Sequence, residues 1–307
     1  MCILCHKIDA RNHTQQERIQ WSRSHEFEGI LVSREDEFDC VDIYKQPSLQ
    51  HPLLKNHKIQ FATLDTTPHT TYRGADVNIN ICAPSVKKGQ YSLAQVYAQS
   101  GPPGELNTIQ AGWGVFPDLY GDSLTRLTGY WGVEGYPKAG CFDTLCPGFV
   151  QIHQSVAFGI PLEVSKIGAD EQFYLNFIIQ QDGRTGHWWL TVKENIHVGY
   201  WPNRIFTHLA NGASVIRFGG EAGAAFLSSS PPMGTGNLAE AKFRYACYFA
   251  KLQILDSESK LQEVQPEDMK IYLETDPKCY DLLYPGYTGP SHRQAFLFGG
   301  PGGNCGA

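Results

Sequence analysis

The chain has 307 residues, 42% of them apolar and 12% aromatic, with Trp 6 and Tyr 15 against Met 3. Only 18% are charged and the formal net charge is −6, which argues against nucleic acid as the main partner, because binding phosphates needs a basic face. No apolar run approaches the roughly 18 residues of a membrane span, and no heptad, collagen period or solenoid repeat is present.

In chain order, residues 1–24 are polar, mixed in charge and unpatterned. The opening MCILCHKIDARNH does not read as a signal peptide, because its apolar stretch is short and charge follows at once. Within 25–60, GILVS and EFDCVDIY predict two strands joined by a turn at RED, and Pro47 and Pro52 then break the pattern. Residues 61–74, FATLDTTPHTTYRG, are Thr-rich and read as an exposed linker.

From residue 75 onward the strand signals recur. ADVNINIC, YSLAQVYAQ, LNTIQAGWGVF, RLTGYWGV, GFVQIH, QFYLNFIIQ, HWWLTVK, HVGYWP, SVIRFGGE, CYFAKLQIL, MKIYLE and QAFLFGGP are separated by turn residues. That spacing predicts an all-β antiparallel sandwich over 75–307. A single short helix is expected at PNRIFTHLA, residues 202–210, which opens on Pro and sets Ile205 and Leu209 on one face.

Motif chemistry is sparse. No phosphate-binding loop, dinucleotide fingerprint or G-x-S-x-G elbow occurs, so no nucleotide and no other cofactor is expected. The eleven His are scattered, and His187 beside a Trp pair reads as structural. Cys2 and Cys5 form an isolated C-x-x-C with no second pair, so no metal site is expected. Local disulfides Cys141–Cys146 and Cys279–Cys305 are the preferred reading of the other cysteines and would imply an oxidising compartment. Cys247, in FRYACYF, reads as a free buried thiol.

Two polar residues stand out. Glu221 ends the apolar strand SVIRFGGE after two glycines, which let a backbone or ligand come close; on spacing alone a structural glutamate is the stronger reading. Gln110 sits in NTIQAGWGV. If Ile109 and Ala111 face the core, Gln110 shares the other face with Gly112, as in a groove on a concave sheet; an exposed outer-face glutamine is the alternative. The pairs Tyr130-Trp131, Trp188-Trp189 and Tyr200-Trp201 would line a cleft for prolyl or sugar rings, or fill ordinary core.

The segments NTIQAGWGVFPDLYGDSLTRLTGYW, GYPKAGCFDTLCPGFVQ, GHWWL, GYWP and IRFGGE, in that order, resemble the plant neprosin family. EFDCVDIYKQPSLQHPLLKNHKIQ resembles its activation propeptide, so 25–60 is read as propeptide-like and 75–307 as the catalytic sandwich. The resemblance implies a β-sandwich similar to the fungal eqolisins and a glutamic endopeptidase that cuts after proline. It implies a zymogen, active at acid pH and located outside the cell or in the vacuole. The family's paired glutamates map to Gln110 and Glu221, so this chain carries an amide at one catalytic position, as the eqolisins do. Phe218 stands where the family's second motif has Trp. The two family disulfides map to Cys141–Cys146 and Cys279–Cys305.

With that resemblance, Glu221 is expected to act as general base and acid, and Gln110 to orient water and oxyanion. Trp113, Trp188 and Tyr200 are expected to form the proline-side pocket. The expected partners are a protein or peptide substrate and the chain's own propeptide, with no membrane and a monomeric state. The alternative is an inactive sandwich that binds peptide or cell-wall polymer without turnover. A cytosolic sandwich with reduced cysteines is a third reading.

Overall fold

The computed structural model describes residues 5–7, 38–40 and 57–305, apart from 69, 135–138 and 226–227. A short ladder pairs β1 (Cys5–Lys7) with β2 (Phe38–Cys40). Thus the strand expected in EFDCVDIY forms in part, but its partner is β1; GILVS lies outside the described residues.

Two antiparallel sheets make the body. Sheet I has seven strands. Its order is β16 (Met269–Leu273), β3 (His57–Thr66), β13 (Val215–Ala225), β5 (Gln90–Ser100), β6 (Asn107–Val115), β7 (Arg126–Val133) and β8 (Ala139–Phe142). Sheet II has nine. Its order is β17 (Asp281–Tyr287), β18 (Gln294–Gly299), β14 (Cys247–Leu255), β4 (Gly74–Asn80), β10 (Tyr174–Gln181), β11 (Trp188–Val192), β12 (Ile196–Trp201) and β9 (Val150–Gln151), with β15 (Leu261–Glu263) on β14. The expected antiparallel sandwich is therefore what the chain forms.

Period-2 alternation decides which face each strand buries. On sheet I, Ala62, Leu64, Ala94, Val96, Ile109, Ala111, Trp113 and Phe218 point inward. They meet Val77, Ile79, Phe177, Ile179, Trp188, Leu190 and Phe249 of sheet II. Each such large side chain contributes on the order of 1.5–3 kcal/mol when removed from water. Trp113 also links the layers, because its indole N–H donates to the Asn80 carbonyl at 2.8 Å.

Three sequence expectations are corrected. The exposed linker over 61–74 does not exist as such: Phe61–Thr66 lies inside β3, paired with β13 on one side and β16 on the other. Its Thr content misled, since Thr is also a strand former and Ala62 and Leu64 supply the inward face. The boundary expected at residue 60 falls inside this same strand, β3, which pairs with β13 from His57 onward.

The helix expected at 202–210 is two single 3₁₀ turns, Asn203–Ile205 and Leu209–Asn211. Between them Phe206 is extended (φ −107°, ψ 144°), and its ring packs edge-on against Trp131 at 6.2 Å. Among the described residues the one α-helix is α1 (Pro117–Tyr120), opened by Pro117 and closed by Gly121 in the left-handed region (φ 79°).

Disulfides join Cys141 to Cys146 and Cys279 to Cys305. A third joins Cys82 to Cys247 across 165 positions, so Cys247 is not a free thiol. Both of its partners are buried beside Asn80.

Candidate active site

Glu221 and Gln110 lie on the face of sheet I that points away from sheet II. The ladders fix this. Gln110 pairs with Tyr97, and Tyr97 with Arg217, while Glu221 pairs with Leu93. All of them alternate with core residues, so they share the outer face. Strand β5 separates the two side chains, with Glu221 four residues beyond the level of Gln110 along the ladder.

The row between those two levels is Gly219, Gln95 and Gly112. Both glycines are required by close backbone approach. A Cβ on Gly112 would lie 2.0 Å from the Ala94 carbonyl oxygen, and one on Gly219 would lie 2.4 Å from that of Ala62. The same positions carry no side chain, so nothing from the row's ends stands between Glu221 and Gln110.

Glu221 is 6% exposed and Gln110 9%. The Tyr91 hydroxyl donates to Glu221 Oε1 at 2.8 Å, and the Tyr97 hydroxyl to Oε2 at 3.3 Å. Burial pushes the Glu221 carboxyl above the ordinary range. The two phenol hydrogen bonds and the Arg217 charge act the other way, since each favours the ionised form. Burial and the neighbouring Glu221 charge push both phenols far up, so they stay protonated donors. Arg217 itself is held by Asp65, with Nη2 2.7 Å from Oδ2.

An aromatic wall closes one side. Tyr91 packs on Phe116 at 4.9 Å, Phe116 on Phe142 at 5.6 Å, and Phe142 on Tyr130 at 5.1 Å. Tyr130 faces Gln110 across the β6–β7 ladder. Asp143, next to Phe142, accepts from the Tyr120 hydroxyl at 2.7 Å, the Thr128 hydroxyl at 3.1 Å and the Gly129 N–H at 2.9 Å. Burial raises its carboxyl to about 6 against those bonds.

The expected pocket residues are not here. Trp113 and Trp188 are fully buried between the sheets, and their indole N–H groups are spent on Asn80 and Leu209 carbonyls. Neither has surface for a substrate. Tyr200 lies on the outer face of sheet II, opposite Trp189 and far around the sandwich from Glu221. Sequence reading placed Tyr130 in a cleft-lining pair but missed Tyr91 and Tyr97. Their signal was available: in YSLAQVYAQ the tyrosines sit at odd positions with Leu93 and Gln95, on the face that the register gives to Glu221. Among the described residues no cluster of three or more His, Cys, Asp or Glu could hold a metal, and no helix is long and apolar enough to cross a membrane.

The class defined by this architecture is a two-sheet β-sandwich that carries a buried, tyrosine-held glutamate on one outer face. Residues 88–301 match the neprosin family model, and the chain belongs to that family. Among solved structures, it is similar to a scytalido-glutamic peptidase with a transition state analog inhibitor. Identity there is 11% and the TM-score 0.45, over 79% of this chain and 98% of that one. A second structure of that peptidase, with a peptide-based analog, gives 11% and 0.42 over 80% and 98%.

Proposed function

We propose that the protein is a glutamic endopeptidase that hydrolyses peptide bonds after proline, with Glu221 as general base and then acid. Family membership supports a peptidase. The observation that carries the assignment of roles is the buried Glu221 carboxylate, held by two phenols on the same sheet face as Gln110.

In this reading Glu221 takes one proton from water as the water oxygen bonds to the scissile carbonyl carbon. The carbonyl π pair moves onto its oxygen, and the Gln110 amide N–H₂ donates to that oxyanion. Glu221 then hands its proton to the leaving nitrogen as the C–N bond breaks, and returns to carboxylate. Gln110 transfers no proton at any stage, so one titratable group is enough. The prolyl ring would rest on the exposed flank of Tyr130, because the expected tryptophans are enclosed. A removable N-terminal segment would make the chain a zymogen, and the three disulfides favour an oxidising, extracellular or vacuolar setting.

The test is cleavage of a proline-containing peptide between about pH 3 and 6, the range around a glutamate pKa of roughly 4.3. Glu221→Gln should abolish turnover; activity that survives it removes Glu221 from the mechanism. The amide at 110 favours one other reading, a sandwich that binds peptide without cutting it. Appearance of peptidase activity only in Gln110→Glu would establish that reading instead.

A further inference from the structure

The row between Glu221 and Gln110 holds a second glutamine whose amide is only half used. Gln95 stands between Gly219 and Gly112 on the outer face of sheet I and is 0% exposed. Its Nε2 donates to the Thr128 carbonyl at 3.4 Å. Thr128 pairs with Gly112 in the β6–β7 ladder, so the side chain reaches across β6 over Gly112, which has no side chain to stop it. A carbonyl can only accept, and this fixes nitrogen as the end of the amide that faces Thr128. The other end, Oε1, is buried and has no hydrogen-bond partner.

A buried acceptor is ordinarily met by a donor, and the side-chain hydroxyls nearby are committed. Those of Tyr91 and Tyr97 go to Glu221, and that of Thr128 to Asp143. The Tyr130 hydroxyl is turned along β7 away from Thr128, since a Cβ on Gly132 would lie 2.8 Å from it. Gln110 remains. It precedes Gly112 by two residues on the same face of β6, so it borders the space that Gln95 crosses. Diagonal partners on adjacent strands are within reach of side chains this long. Gln110 is 9% exposed, its amide carries no hydrogen bond among the described residues, and it has two N–H bonds to give.

We infer that Gln95 is a positioning residue for Gln110: its Oε1 accepts one amide hydrogen, which leaves the second for the oxyanion. The inference rests on the reading of Gln110 as oxyanion donor. The two ends of a primary amide are alike in shape and opposite in hydrogen-bonding sense. An unheld Gln110 would also present its carbonyl, which repels a developing oxyanion. An acceptor at Gln95 selects the productive end. The bond is open in the free protein; catalytic hydrogen bonds are often long there and tighten around the transition state.

The experiment is a double-mutant cycle on the full chain at acid pH. It is read by steady-state cleavage of a proline-containing peptide, and by calorimetric titration with a phosphinic proline peptide, whose tetrahedral anion stands for the transition state. Gln95→Met keeps the side chain's length and removes the acceptor oxygen. It should lower kcat about tenfold with KM little changed, and weaken the phosphinic peptide about tenfold, the scale of one hydrogen bond. In a Gln110→Ala background the same substitution should have no further effect on either. Gln95→Glu keeps an acceptor oxygen and should lose less than Gln95→Met. Melting curves check folding, and Gln95→Leu replaces Gln95→Met if that variant does not fold. Losses that add in the double variant overturn the inference. So do readouts indifferent to Gln95→Met, or an equal loss in Gln95→Glu. Coupled loss of phosphinic-peptide binding in a chain that cleaves nothing would overturn the peptidase activity and leave the pairing standing. A wild type that neither binds nor cleaves overturns both.

Discussion

Tyr97 stands directly opposite Gln110 in the β5–β6 ladder, yet its hydroxyl reaches Glu221 Oε2 on the strand to the other side. Tyr91 holds the second oxygen from the far end of the same strand. The acid is thus suspended between two phenols, and one of them starts level with the amide.

That suspension predicts a pH shift. A hydrogen bond to the ionised form lowers a carboxyl pKa, so Tyr91→Phe should move the acidic limb of the kcat/KM profile upward. Tyr97 alone would then hold the anion, so the ionised form is less favoured than in the wild type. A pH–rate series on wild type and variant measures it; an unmoved limb would separate Tyr91 from the ionisation of Glu221.

At position 110 the side chain's donor is what counts. Gln110→Ala should lower kcat by roughly 10²–10³-fold, the usual loss for one oxyanion donor, with KM changed far less. Gln110→Glu should keep activity only at the acid end, where the new carboxyl is protonated and can donate. Steady-state kinetics across about pH 3–7, bracketing the glutamate range, distinguishes the two variants.

Asp143 ties stability to pH. Burial raises its pKa from 3.8 to about 6, so the folded state binds the proton more tightly than the unfolded chain. Its contribution is therefore fully present below about pH 4 and is lost as pH rises through about 6. The span corresponds to roughly 3 kcal/mol. Urea midpoints should fall over this window, and Asp143→Asn should flatten that part of the curve.

The Cys82–Cys247 bond should dominate redox sensitivity. It closes 165 positions, against five for Cys141–Cys146, and chain-entropy reasoning assigns long loops roughly 4–5 kcal/mol. Cys82→Ser with Cys247→Ser should depress the melting temperature well beyond the change caused by the Cys141/Cys146 double variant. Scanning calorimetry of both provides the comparison.

Much of this architecture was legible in the residues. RLTGYWGV forms β7 without a shift, and Ile109 and Ala111 turn inward to leave Gln110 outside, as alternation required. What failed did so for local reasons. Thr63 and Thr66 made a central strand look like a linker, because composition outweighed the alternating Ala62 and Leu64. Ile205 and Leu209 suggested a helical face, but burying Phe206 required an extended residue between two turns. Cys82 and Cys247 gave no signal at all, since partners 165 positions apart meet only after β4 and β14 have paired. The aromatic pairs were noticed, but a sequence does not say which sheet a strand joins. Trp188 and Tyr200 therefore went to the wrong address.

Strand β6 carries Gln110 outward and Trp113 inward, and the latter is fastened to the Asn80 carbonyl of the facing layer. The strand is therefore a ruler clamped at one mark. Inserting or deleting one residue between the two would either unfasten the tryptophan or rotate the amide into the interior and bring Ile109 out. Length changes in this lineage should accumulate in the hairpin ahead of Asn107 and the bend after Val115, while the stretch from 110 to 113 keeps its count.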